Sequence, residues 1–153
     1  MIIESKAPTR IDLAGGTVDI WPIYLLMGPA STINLGIDLY ASARLEITPP
    51  PAGQKAGVVL ESQDQNSQTR ISWSEFESQV EKLPAWLILS GKLISYFVQH
   101  KKKSSAGLDT QLDLRLRTSA KSPAGAGLGG SSTLAVATIG ALSTWVNQKP
   151  VNA

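Results

Sequence analysis

Between Thr32 and Ile47, the residues Ile33, Leu35, Ile37, Leu39, Ala41, Ala43, Leu45 and Ile47 alternate with Thr32, Asn34, Asp38, Ser42, Arg44 and Glu46. A period of two is the signature of a strand, and here it predicts a long one with a single buried face. The same alternation recurs in Leu108, Thr110, Leu112, Leu114 and Leu116 against Asp109, Gln111, Asp113, Arg115 and Arg117, and more briefly around Arg10 to Leu13. A half-solvated, mostly antiparallel sheet follows. Val58–Glu61 and Thr69–Trp73 flank the polar stretch Gln63–Ser67 and read as a hairpin, set off from the long strand by Pro49, Pro50 and Pro51.

Helical segments differ in kind. Pro84 opens a run holding Trp86, Leu87, Leu89, Leu93, Ile94, Phe97 and Val98 and closing on His100, Lys101, Lys102 and Lys103. Proline at the start and cations at the end suit a helix. A last helix is predicted from about Ser132 to Val146; its apolar residues leave almost no polar face, so burial on all sides is expected. Strands with helices gathered on one side make the fold class α+β rather than a βαβ array.

At 153 residues there is room for one core. Charged residues are only 17% of the chain against 42% hydrophobic, where about 25% charged is ordinary, so the surface is sparsely charged and disorder is excluded. A net charge of +2 is too balanced to point to nucleic acid or an anionic membrane. Absence of cysteine excludes disulfides and thiolate metal sites, and the lone His100 would have to serve any histidine-based chemistry. No run reaches the roughly 18 apolar residues of a membrane span, and the N-terminus does not read as a leader, so the expected location is cytoplasmic.

The chemistry concentrates in Ser122-Pro123-Ala124-Gly125-Ala126-Gly127-Leu128-Gly129-Gly130-Ser131-Ser132, with four glycines in six residues between the alternating strand and the apolar helix. Such a loop brings backbone N–H groups against an anion, and Ser131 or Ser132 is placed to cap the helix or to face a phosphate or Mg²⁺. A plain glycine turn with a capping serine is the simpler alternative. Gly125, Gly127 and Gly130 satisfy G-x-G-x-x-G, but a dinucleotide site needs a buried parallel strand before it and an acid about 20 positions after, and no Asp or Glu follows Asp113. Gly125 and Gly130 also have Walker A spacing, but Ser131 stands where the lysine belongs.

The pattern Pro-x-x-x-Gly-Leu-Gly-x-Ser-Ser, at Pro123, Gly127, Leu128, Gly129, Ser131 and Ser132, resembles the second motif of the GHMP kinases. With Gly129-Gly130 before the serines it looks most like the branch acting on heptose phosphates and fucose. Ala7-Pro8-Thr9-Arg10-Ile11-Asp12-Leu13-Ala14-Gly15-Gly16-Thr17-Val18-Asp19 is similar to the family's N-terminal segment, and the two motifs stand in the right order. The resemblance implies a fold like the second domain of ribosomal protein S5 and an ATP·Mg²⁺ site at residues 123–132. Pro123, Gly125, Ala126, Gly127, Leu128, Gly129, Gly130, Ser131 and Ser132 would wrap the phosphates and Ser131 would help hold Mg²⁺. Asp19, with Gly15 and Gly16 in a turn beside it, would contact a sugar or sugar-phosphate acceptor. Arg10 lies where the family places a catalytic arginine near the transferred phosphoryl group; pairing with Asp12 or another strand carboxylate is its alternative role.

The family's downstream aspartate, third glycine motif and C-terminal domain have no counterpart in these residues, so residues 1–153 are expected to form the N-terminal domain alone and not to catalyse unaided. The rival readings are a non-catalytic domain for a protein or RNA partner, with the weak net charge and few expected exposed aromatics speaking against RNA, and one half of a split or self-associating kinase. The cations of His100–Lys103 are expected to be solvated at a helix end, Trp73, Trp86 and Trp145 to lie in the core, and Trp21 to pack under the first-motif loop or border the substrate.

Overall fold

The computed structural model describes residues 1–16, 21–28, 31–103, 107–123 and 127–147. Its elements are β1 (Ile2–Ala14), α1 (Ile23–Met27), β2 (Ile33–Thr48), β3 (Gly57–Ser62), β4 (Ser67–Ser72), α2 (Phe76–Gln79), a 3₁₀ turn (Val80–Lys82), α3 (Ala85–Lys103), β5 (Asp113–Ala120) and α4 (Gly130–Asn147). The strands form one five-stranded sheet in the order β1-β2-β5-β3-β4, antiparallel throughout except for β3 beside β5.

The long alternating strand forms where its pattern places it, and its Ala41, Ala43 and Leu45 are buried while Arg44 and Glu46 are not. Against these residues and Val58, Leu60, Leu114 and Leu116 pack Leu87, Ile94 and Val98 of α3 and Ala137, Ala141, Leu142 and Trp145 of α4. α4 lies over β1 and β2, α3 over β3, and both sit on one face, giving the α+β layering that the alternation requires. The opposite face carries charge in cross-strand register: Glu61 beside Arg117, Arg117 beside Arg44, and Arg44 beside Glu4. Arg44 bonds Glu46 at 2.6 Å and Glu4 at 2.5 Å, and Arg117 bonds Glu61 at 2.9 Å, so each arginine on this face has a carboxylate that offsets its like-charged neighbour.

Several expectations need correction. β5 begins at Asp113 rather than Leu108, because Asp109 Oδ1 accepts the Gln111 N–H at 2.9 Å and turns the chain. Asp113 opens the strand buried, accepting both Arg70 Nη groups at 2.7–2.8 Å and the Gly57 N–H at 3.0 Å. α4 is not enclosed: its buried residues are Thr133, Ala137, Thr138, Ala141, Leu142 and Trp145, and Val136 on the other side is 60% exposed. A two-layer fold can cover one stripe of a helix, whatever the other stripe's composition. The cations ending α3 are not all solvated, since Lys101 is buried with its Nζ 5.7 Å from the centroid of the Trp145 ring. Trp21 is 71% exposed rather than packed, and Tyr24, Tyr40 and Tyr96 join it, so exposed aromatics are more numerous than expected. Among the described residues, no helix is long and apolar enough to cross a membrane.

Candidate active site

β5 runs between β2 and β3, and its last residue, Ala120, leads directly into the glycine-rich segment. Because β3 and β5 are parallel, the end of β3 and the Gln63–Asn66 turn after it come to the same edge as the end of β5. Pro84 accepts the N–H groups of Leu87 and Ile88 at 2.8 and 3.0 Å and starts α3 at that edge too. The three segments enclose a cleft of about 470 Å³, within the range of small-ligand sites. Ala85, Trp86, Leu89 and Leu134 supply its apolar wall, and Pro123, Gly127, Leu128, Gly129, Gly130 and Ser131 line the glycine-rich side.

Gly129 has φ +63° and its carbonyl accepts the Thr133 N–H at 2.9 Å and the Thr133 hydroxyl at 3.1 Å, so the chain enters α4 at Gly130. A left-handed residue here lets the helix start before the serines that were expected to cap it, and Ser131 and Ser132 therefore lie in its first turn. A Cβ on Gly130 would stand 2.6 Å from Ser122 Oγ, so the strand exit and the helix start meet at these two residues. The first N–H groups of an eighteen-residue helix have no intrahelical partner, and the helix dipole adds positive potential there. The edge of the cleft thus offers donors and a field suited to an anion, beside an apolar wall suited to a ring.

Among the residues singled out from sequence, Ser132 adjoins the cleft residues without lining it, and Gly125, Ala126 and Asp19 lie outside the described residues. Arg10 is on β1 opposite Gly36, mostly exposed, with its Nε 3.7 Å from Asp12 Oδ1, the pairing already weighed for it, and does not line the cleft. Gly15 backs onto the Ser31 carbonyl, and Gly16 sits under Asp12, whose Oδ2 would be 2.7 Å from an added Cβ. The cleft residues that had not been singled out for a site include Asp64, Gln65 and Trp86, the last expected in the core yet 50% exposed. Trp73 and Trp145, by contrast, do pack against or within the core, and Trp73 Nε1 donates to the Leu112 carbonyl at 2.9 Å.

Residues 92–152 match the family model for the N-terminal domain of GHMP kinases. Over 145 residues the chain is 31% identical to a D-glycero-α-D-manno-heptose 7-phosphate kinase of Campylobacter jejuni, a match covering 95% of this chain and 38% of that protein. It is 29% identical over 150 residues to an L-fucokinase/L-fucose-1-P guanylyltransferase of Bacteroides fragilis, covering 93% of this chain and 16% of that protein. A crystal structure of a D-glycero-D-manno-heptose 1-phosphate kinase from Bacteroides thetaiotaomicron superposes with a TM-score of 0.69 at 25% identity, over 96% of this chain and 42% of that one. The mevalonate kinase of Methanococcus jannaschii shares the fold, with a TM-score of 0.68 at 20% identity over 99% of this chain and 42% of that one. The chain therefore spans well under half the length of each of these proteins.

Proposed function

The chain is a GHMP kinase N-terminal domain with relatives in the heptose-phosphate and fucose kinase branch, and on that premise we propose that residues 1–153 are the ATP-binding domain of a kinase that phosphorylates a hydroxyl of a sugar or sugar phosphate. The observation that carries this reading is the cleft itself, in which the start of α4 and the apolar residues Trp86, Leu89 and Leu134 share one space. The N–H groups opening α4 take the triphosphate, and the Trp86 ring with Leu89 and Leu134 takes the base.

Mg²⁺ prefers hard oxygen ligands and keeps several waters. The Ser131 hydroxyl is exposed on the first turn of α4 and makes no hydrogen bond among the described residues, so it fits as a single protein ligand beside phosphate oxygens and water. When bound, the ion neutralises charge on the β and γ phosphates. The described residues contain no group of three His, Asp or Glu side chains able to hold a metal by themselves.

Phosphoryl transfer also needs a group to orient the acceptor hydroxyl, and no acid follows Asp113 in this sequence. Taken alone, the 153-residue polypeptide binds Mg·ATP without transferring its γ-phosphate. Thermal shift and calorimetry with ATP, with and without Mg²⁺, test the binding: Mg·ATP raises the melting temperature, and Ser131→Ala reduces the magnesium-dependent part. Failure of ATP to bind in either condition would sink the nucleotide reading. Turnover of a sugar phosphate by the purified polypeptide would refute the claim that it binds without catalysing.

A further inference from the structure

The strand that feeds the glycine-rich segment is held on both sides up to its last residue, but by different means. On the β2 side, Ala41 pairs with Ala120 and the Lys121 N–H donates to the Tyr40 carbonyl at 3.2 Å. On the β3 side, the parallel pairing ends at Ser62 with Thr118, and one more backbone bond follows, from the Gln63 N–H to the Thr118 carbonyl at 2.9 Å. There β3 turns away toward β4. The next group of β5 facing that side, two residues on, is the Ala120 N–H, and no strand remains to receive it. The Asp64 carboxylate receives it instead, Oδ1 lying 2.8 Å from the Ala120 nitrogen.

We infer that Asp64 is a positioning residue for the phosphate-binding turn: its carboxylate adds a last rung to the sheet and fixes the direction in which Ala120 hands the chain to Lys121, Ser122 and Pro123. The inference rests on the reading of the cleft as an ATP site. Ser122 and Pro123 line that cleft, and the Ser122 hydroxyl lies against Gly130 at the start of α4, so a change in the direction of β5 at Ala120 reaches the first turn of the helix through Ser122. Asp64 itself also lines the cleft. Two roles are therefore separable: a clamp acts on anything the turn binds, whereas a group that reads the nucleoside acts only on ligands that have one.

Binding of Mg·ATP and of magnesium tripolyphosphate, which has no base or ribose, distinguishes them by calorimetry. Asp64→Ala is expected to weaken both ligands by the same factor, roughly three- to tenfold, the worth of one exposed hydrogen bond. Asp64→Asn keeps an acceptor oxygen and is expected to restore both to within about twofold of the parent. In hydrogen exchange without ligand, the Ala120 amide is protected in the parent and in Asp64→Asn and exchanges faster in Asp64→Ala. Asp109→Ala removes the same kind of loop bond, to the Gln111 N–H in the turn before β5, and should leave both affinities unchanged. Loss of ATP affinity alone in Asp64→Ala, or no change in either ligand, overturns the inference while the ATP reading stands. If the parent binds neither ligand, the ATP reading falls and the inference falls with it.

Discussion

Trp86 and Trp145 both fall in apolar helical runs, and nothing in their spacing separates them. Trp145 is buried in the core, while Trp86, in the first turn of α3, reaches past the packed layer to the cleft wall. Trp145→Ala is expected to lower unfolding free energy by about 3–5 kcal/mol, and Trp86→Ala by under about 1 kcal/mol, both by chemical denaturation. Calorimetry should show the reverse order for ATP, with Trp86→Ala weakening it through loss of about 1–3 kcal/mol of stacking and sparing tripolyphosphate. On the opposite sheet face, the hydrogen bond from Arg44 is the main cause holding the Glu46 carboxyl below its ordinary range, aided by the nearby positive charges and opposed by burial. A carboxylate lowered in the folded state stabilises above the unfolded pKa of about 4.3, and that contribution is lost as pH falls through the lower folded value. Parent and Glu46→Gln should therefore differ in denaturation midpoint at neutral pH and converge as the solution is acidified below about pH 4.

At the level of elements, the alternation from Thr32 to Ile47 was legible because a single residue's parity decides which face it occupies. The hairpin of β3 and β4 and the helix after Pro84 were legible for similar local reasons. α4 was only half legible. Its apolar composition fixed the helix, but Val136 and Ile139 remain exposed because the sheet covers one stripe and α3 lies along only part of the rest. Val136→Ser should consequently change stability by less than about 0.5 kcal/mol, whereas Leu142→Ala should cost about 2–5 kcal/mol, both measurable as shifts in urea midpoint. The short α1 and α2 escaped notice, since one helical turn carries too few residues to show a period.

Across the whole molecule, β1 and β2 continue as a two-stranded ribbon beyond the end of β5. Thr9–Ala14 pairs with Ile33–Ile37, while β5 reaches only as far as Ala41 along β2. Leu13, Ile33 and Leu35 of that ribbon are exposed, and a ribbon with one paired edge opens at lower free energy than a three-strand segment. Hydrogen exchange should find the amides of Ile33–Ile37 less protected than those of Ala43–Ile47; equal protection would mean that the ribbon is held by something beyond its pairing. The candidate site shows the same division between local and assembled features. The glycine-rich turn that opens α4 was legible because close backbone approach and a helix start are properties of residue types at fixed spacing. Asp64, Gln65 and Trp86 were not, because they reach the cleft through the parallel pairing of β3 with β5 and through the start of α3, both set by packing between distant segments. By itself, then, the sequence determined the alternating strands apart from the start of β5, the two long helices, the glycine-rich turn into α4 and the family resemblance, all of which depend on neighbours along the chain. Only the tertiary structure decided which aromatic faces the cleft, which side of α4 stays exposed and which carboxylate completes the rung at Ala120, because each depends on which distant surfaces the single two-layer core brings together.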